Sequence, residues 1–225
     1  MSRAAPVLTR SRLAEMNRAS GAGAFVDLAP DERDALAAIV QRHGADEATR
    51  AQAAAHESGH ILAFAALGRR TVVGVSIWPE QHAGRRTWCG LTDAPANDGS
   101  ARIRARENPQ AVFAVAVEQL SGYVGECATA LDHPSSSLDE RVIASRCCAT
   151  LAMALPGTPP ERIAADVEAF CLRALERNRV AFDVLRSTLD QRRRLRAPDL
   201  RRLLARVEPA GAADYPAYLR AGVHA

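Results

Sequence analysis

The chain has 225 residues, enough for one core-forming domain with a helical extension, and its 48% hydrophobic and 24% charged content is that of a globular protein. Its 29 basic residues, every one an arginine, face 26 acidic residues, and a net charge of +3 is too even to indicate a nucleic-acid partner. No apolar run reaches the ~18 residues of a membrane span, and the N-terminal segment lacks the apolar core of a secretory signal, so a soluble cytoplasmic protein is expected.

Aromatic residues make up only 4% of the chain, so alanine, leucine and valine must build the core. The five cysteines are Cys89, Cys127, Cys147, Cys148 and Cys171. Their odd number and the lack of a C-x-x-C pair argue against a disulfide framework or a cysteine zinc site. Reduced thiols packed in the core are expected instead.

Residues 1–30 show little periodicity around Ser20-Gly21-Ala22-Gly23 and read as a flexible arm. Residues 31–207 read as the domain and 208–225 as a tail. A short helix is expected from Asp31 to about His43, opened by Pro30 and closed by Gly44. A second runs from about Ala45 or Asp46 to Leu67, with Gly68 as its C-cap. Thr71 to Trp78 is rich in β-branched residues and reads as a strand. Pro79 to Arg86 reads as a loop, Thr87 to Thr92 as a second strand, and Pro95 to Ser100 as a turn.

Asn108-Pro109 is an N-cap followed by proline in the first turn, and opens a helix to about Leu131. Its stretch Ala111–Val117 is apolar all round, which predicts burial in mid-domain. Ser137-Leu138-Asp139-Glu140 spells a capping box for a helix reaching about Leu155. After three prolines another helix covers about 160–177, with Ile163, Val167, Phe170 and Ala174 on one face. Two last helices are expected at about 179–193 and 198–207. The fold class is therefore α+β and mainly helical, with a small sheet and a C-terminal helical bundle.

The chemistry sits in the second helix, where His56-Glu57-Ser58-Gly59-His60 reads H-E-x-x-H. Residues four apart share a helix face, with Cβ atoms roughly 5–6 Å apart. Two imidazoles so placed can grip one Zn²⁺, and the glutamate beside it can handle a water's proton. His56 and His60 are the expected ligands and Glu57 the expected base. A zinc peptidase needs a third ligand, and the residues offer Glu126, Asp132, His133 and Asp139. An acid at the start of a helix also suits the dipole without any metal. The residues alone leave Asp139 and Glu126 level.

Ala55 to His60 resembles the H-E-A-G-H helix of the FtsH-type AAA-protease peptidase domain. Val75-Ser76-Ile77-Trp78-Pro79 resembles that family's V-x-I-x-P strand, and Cys89-Gly90-Leu91-Thr92 its L-G-Y-T segment. Leu120 to Glu126 resembles its L-G-G-R-x-A-E helix. The family's S-N-D-L-E-R-A segment follows, and its aspartate is the third zinc ligand. The resemblance places that ligand at Asp139, with Glu126 a neighbouring acid, and covers about residues 48–207. It implies a zinc metalloendopeptidase whose extended polypeptide substrate pairs with the edge strand Cys89, Gly90, Leu91 and Thr92.

The chain also departs from that family. Tyr123 stands where the family has arginine, Glu140 follows Asp139 where it has leucine, and the loop at 79–86 differs. No G-x-x-x-x-G-K-[ST] occurs, so the ATPase half is missing. Substrates would be already unfolded, or delivered by an ATPase partner in trans. The family forms hexameric rings with the help of its motor half, so a homo-oligomer stays an open expectation. The rival readings are a zinc-binding adaptor that kept the fold and a narrow protease that cleaves a repressor. Arg192-Arg193-Arg194, with Arg196, Arg201 and Arg202, reads as the solvated face of terminal helices. His82, in the loop near the presumed cleft with Arg85 and Arg86, reads as a solvated histidine.

Overall fold

In the computed structural model of the protein, residues 48–68, 72–82, 85–93, 107–129 and 138–220 are described. The expected arm, the helix at 31–43, the turn at 95–100, Asp132, His133 and the capping Ser137 lie outside them. The order of elements is α1 (Arg50–Leu67), β1 (Gly74–His82), β2 (Arg85–Asp93), α2 (Pro109–Cys127), α3 (Leu138–Ala154), α4 (Pro160–Arg177), α5 (Arg179–Arg192), β3 (Arg194–Arg196), α6 (Ala197–Leu204) and α7 (Ala217–Arg220). The three strands form one antiparallel sheet in the order β2-β1-β3. The fold is α+β and mainly helical, as the sequence pattern requires.

Helix α1 starts at Thr49, whose hydroxyl accepts the Gln52 N–H while the Gln52 side chain accepts the Thr49 N–H, a complete capping box. It stops at Gly68, which adopts the left-handed conformation (φ 61°) that closes helices. Between these caps nearly every side chain is buried. One face packs with Val75, Ile77, Leu185, Leu189 and Leu195 beneath the sheet. The other lies against α2, whose Ala111–Val117 run is fully buried in the larger core with α3 and α4. The predicted face of α4 is buried there too, through Ile163, Val167, Phe170 and Ala174.

The crossing of α1 and α2 is made by glycines. A Cβ on Gly59 would stand 2.1 Å from the Ser121 carbonyl oxygen, and one on Gly125 2.5 Å from that of Ala55. The two backbones touch at both points, closer than any side chain allows.

Three sequence expectations change. Pro79 to Gln81 are strand rather than loop, and β1 and β2 pair from Gly74↔Asp93 to His82↔Arg85. Proline is tolerated because of where it falls. The Ile77 N–H points to the β3 side, donating to Arg193 (2.8 Å), and residue 79 faces the same way, past the end of β3. Strand β3 was not expected at all; Arg194-Leu195-Arg196 carries one inward residue, too short for a pattern. Finally, 208–220 pack onto the domain. The Ala210 N–H donates to the Ala66 carbonyl (2.8 Å), Tyr215 lies against Phe113 and Phe170, and Leu219 is buried. Isolated anchors of this kind leave no periodic trace in sequence.

Two tests follow from this packing. Gly59→Ala should lose about 1–3 kcal/mol of stability or more, because backbone rather than a side chain must move; urea unfolding would measure it, and an unchanged midpoint would contradict the close crossing. The second concerns Asp214, which binds Arg177 and accepts the Gly211 N–H at 2.7 Å. The Arg177 guanidinium foremost holds its carboxyl below the usual range. Its contribution is therefore present above the ordinary carboxylate pKa and lost as pH falls through the lowered one. Protection against hydrogen exchange in 208–220, corrected for the intrinsic rate at each pH, should fall on acidification, and Asp214→Asn should flatten that dependence.

Candidate metal centre

Helix α1 presents His56 and His60 one turn apart, with rings edge-on and centroids 4.7 Å apart. Each ring is held by its Nδ1. The His56 Nδ1 meets Glu126 Oε1 at 2.6 Å, and Glu126 is fully buried on α2. The His60 Nδ1 meets the Glu118 carbonyl oxygen at 2.8 Å, and the Ser121 hydroxyl donates to the same oxygen. A carbonyl can only accept, so the His60 Nδ1 carries the proton. With Nδ1–H donated outward, the Nε2 lone pairs face the same volume.

The third group there is Glu140, in the first turn of α3. Its Oε1 lies 3.1 Å from His60 Nε2 and its Oε2 3.1 Å from His56 Nε2, while the two Nε2 atoms are 3.0 Å apart. Ligands of a tetrahedral ion with bonds of ~2.0–2.1 Å stand roughly 3.3 Å apart, so this triangle is close to what one ion needs. Glu140 Oε2 is buried without a hydrogen-bond donor among the described residues. The space over the triangle depends on Gly122, where a Cβ would stand 2.5 Å from His60 Nε2 and 2.6 Å from His56 Nε2. His56, His60 and Glu140 form the group among the described residues that could hold a metal ion.

Among the described residues the carboxylate at the triangle is Glu140, which follows the expected Asp139. Asp139 lies in the same turn, and its side chain is outside the described residues. Glu140 was legible only as the N3 partner of a capping box, a role that competes with reaching outward. Glu126 does not join the group, because it holds the far nitrogen of His56. Tyr123, in place of the family's arginine, lies under the Arg141 guanidinium at 4.4 Å from the ring centroid and ties α2 to the first turn of α3.

Glu57 is 5% exposed and accepts the Thr92 hydroxyl at Oε2 (2.6 Å). Its carboxyl lies flat on Gly90, where a Cβ would come within 2.3 Å of Oε1. Burial, the largest influence, raises its pKa; the imidazoles and Thr92 pull the other way without cancelling it. Burial also opposes charge on His56 and on His60, but Glu140 in particular outweighs it and raises both. Burial disfavours ionised Glu140 in turn, yet the facing imidazoles hold its carboxyl well below the usual range. Electron-rich groups thus surround both rings, which raises their basicity toward a proton or a metal.

The four residues expected to meet substrate divide by face. Gly90 and Thr92 point to Glu57. Cys89 points away and donates to Glu80 Oε2 (3.0 Å), and Leu91 is exposed. That Thr92 positions Glu57 had no sequence signal, since the pair is 35 residues apart. The side chains of His82 and Arg85 lie outside the described residues. Cys147 and Cys148 are core residues as expected, and burial pushes the Cys147 thiol up to about 12. No helix among the described residues is long and apolar enough to cross a membrane.

The chain matches no protein-family model, and no curated protein matches it at a significant level.

The metal assignment has a direct test. Glu140→Gln should lower metal retention at least tenfold, as removal of a ligand does, whereas Asp139→Asn and Glu126→Gln should keep the triangle, Glu126→Gln with weakened affinity. Metal content after dialysis measures the order, and stronger loss from Asp139→Asn than from Glu140→Gln would reverse the assignment.

Proposed function

We propose that the protein is a zinc-dependent endopeptidase that hydrolyses peptide bonds of unfolded or loosely structured polypeptides. The observation that carries this reading is the convergence of two histidine Nε2 atoms and Glu140 beside a buried, immobilised Glu57. A structural zinc site has no use for such a base. When bound, zinc supplies Lewis-acid chemistry, acidifying water toward a pKa of ~7 and polarising a carbonyl.

The residues supply the rest. His56, His60 and Glu140 hold the ion, while Glu126 and the Glu118 carbonyl keep both rings in register. Glu57 accepts the proton of the attacking water on its carboxylate and delivers it to the leaving amine. Its upward pKa shift is in the direction that a shuttle working in both roles requires. The Thr92 hydroxyl fixes the carboxylate through Oε2, and Gly90 leaves room for it.

The sheet edge supports a peptide as substrate. Strand β2 is outermost, and its Trp88 N–H is taken up by the Ala48 carbonyl (3.0 Å). Alternation puts the main-chain groups of Gly90 and Thr92 on that same outer edge, next to Glu57. An extended chain added there gains backbone hydrogen bonds beside the reacting groups. This agrees with the resemblance to FtsH-type peptidase domains over about residues 48–207. No G-x-x-x-x-G-K-[ST] occurs in these 225 residues, and the reading covers action on unfolded segments alone or on segments fed by an ATPase.

Wild type and Glu57→Gln should both retain zinc, while cleavage of an unfolded protein substrate falls at least ~100-fold in the variant. Zinc in both proteins without cleavage by either, even with an ATPase added, would turn the reading to a zinc-binding adaptor.

A further inference from the structure

The Trp88 ring sits where three segments of chain meet. Arg86 comes from β2, Arg50 from the first turn of α1, and Arg193 from the residue between α5 and β3. Their guanidinium carbons lie 5.8, 5.9 and 5.4 Å from the ring centroid. Arg50 is matched by Asp190 at 2.8 Å. Arg86 and Arg193 are exposed and have no carboxylate partner among the described residues. Among the described residues the platform therefore holds three cations and one anion.

Arg193 is there at a steric cost. Its φ is 60°, and it is the one non-glycine residue with positive φ among the described residues. It closes α5 in the left-handed conformation that glycine or asparagine usually takes. An arginine in such a place, stacked on tryptophan, is pre-organised to grip a planar anion such as a carboxylate.

The platform is next to the candidate active site. Trp88 faces the same side of β2 as Gly90 and Thr92, which hold Glu57, and lies about 7 Å along the strand from Gly90. At that point the edge is closed, because Ala48 occupies the Trp88 N–H and donates its own N–H to the Thr87 hydroxyl. A peptide lying along Gly90 and Thr92 must leave the sheet at Trp88. There it can be read through a side chain and not through its backbone.

We propose that this arginine–tryptophan platform binds an acidic side chain of the substrate, two residues along the peptide from the one beside Gly90. The inference rests on the peptidase reading and adds a preference to it: the protein selects segments carrying Asp or Glu at that place. Two free guanidinium groups supply charge-assisted, bidentate recognition of the carboxylate. The selection weakens with salt, since both groups are exposed.

Binding to the full-length Glu57→Gln chain tests it without relying on turnover. Labelled, extended, C-terminally amidated peptides would differ only in Glu, Gln or Lys at one position, moved stepwise along the sequence. Fluorescence anisotropy should show the Glu peptide binding roughly tenfold tighter than its Gln counterpart at one position and low salt, and Lys weaker still. Arg86→Gln with Arg193→Gln should reduce the preference below about twofold, and the pair changed to Glu should favour Lys. Arg193→Gly suits the backbone there, so its partial loss of preference cannot come from misfolding. Equal binding of Glu and Gln peptides by the Glu57→Gln chain, or a preference that survives in Arg86→Gln/Arg193→Gln, would overturn the proposal. Acidic preference in binding, with no cleavage by zinc-loaded wild type even with an ATPase added, would remove the peptidase reading and leave the carboxylate site standing.

Discussion

The contact between the backbones of α1 and α2 is the constraint on which the rest depends. Gly59 and Gly125 leave no Cβ at the two points of closest approach, where the Ser121 and Ala55 carbonyls take the space. At this separation the imidazoles of α1 reach the interior of α2 directly. His56 finds the buried Glu126, and His60 finds the Glu118 carbonyl. Gly122, on the same face, leaves open the volume that both Nε2 atoms address. A wider crossing, of the kind alanine or leucine enforces, would separate the rings from the groups that orient them.

The site concentrates acid around the two rings. Glu57, Glu118, Glu126 and Glu140 lie in or beside the centre, and the first three are buried. Such an arrangement is costly to desolvate and gains its compensation from the imidazoles and from any cation held between them. The opposite shifts of Glu57 and Glu140 reflect what each faces. Glu140 looks straight at both Nε2 atoms, whereas Glu57 lies against Gly90 and accepts the Thr92 hydroxyl. One carboxylate is thereby suited to binding a cation and the other to carrying a proton.

The small sheet joins the two halves of this design. Its inner face lets Gly90 and Thr92 fix Glu57, and on its outer edge the Trp88 N–H is taken up by Ala48. The same strand therefore fixes Glu57 through Gly90 and Thr92 and, through the arginines around Trp88, carries charge at one end. Residues 208–220 close the other side of the molecule, where Leu219 and Tyr215 complete the core around Phe113 and Phe170.

Sequence by itself determined most of the helices and two residues of the candidate metal centre. The spacing of His56 and His60 sets both on one helix face, and caps such as Gly68 and Asn108 set helix ends, because these are interactions within one turn of chain. Ile163, Val167, Phe170 and Ala174 were legible for the same reason. What only the tertiary structure decided involves residues far apart in the chain. The contact of Glu140 with the histidines depends on how α3 is rotated against α1, and one residue turns a helix by roughly 100°. The Thr92 bond to Glu57, strand β3 and the gathering of Arg50, Arg86 and Arg193 on Trp88 likewise arise from packing between segments. Local pattern carries no record of such packing.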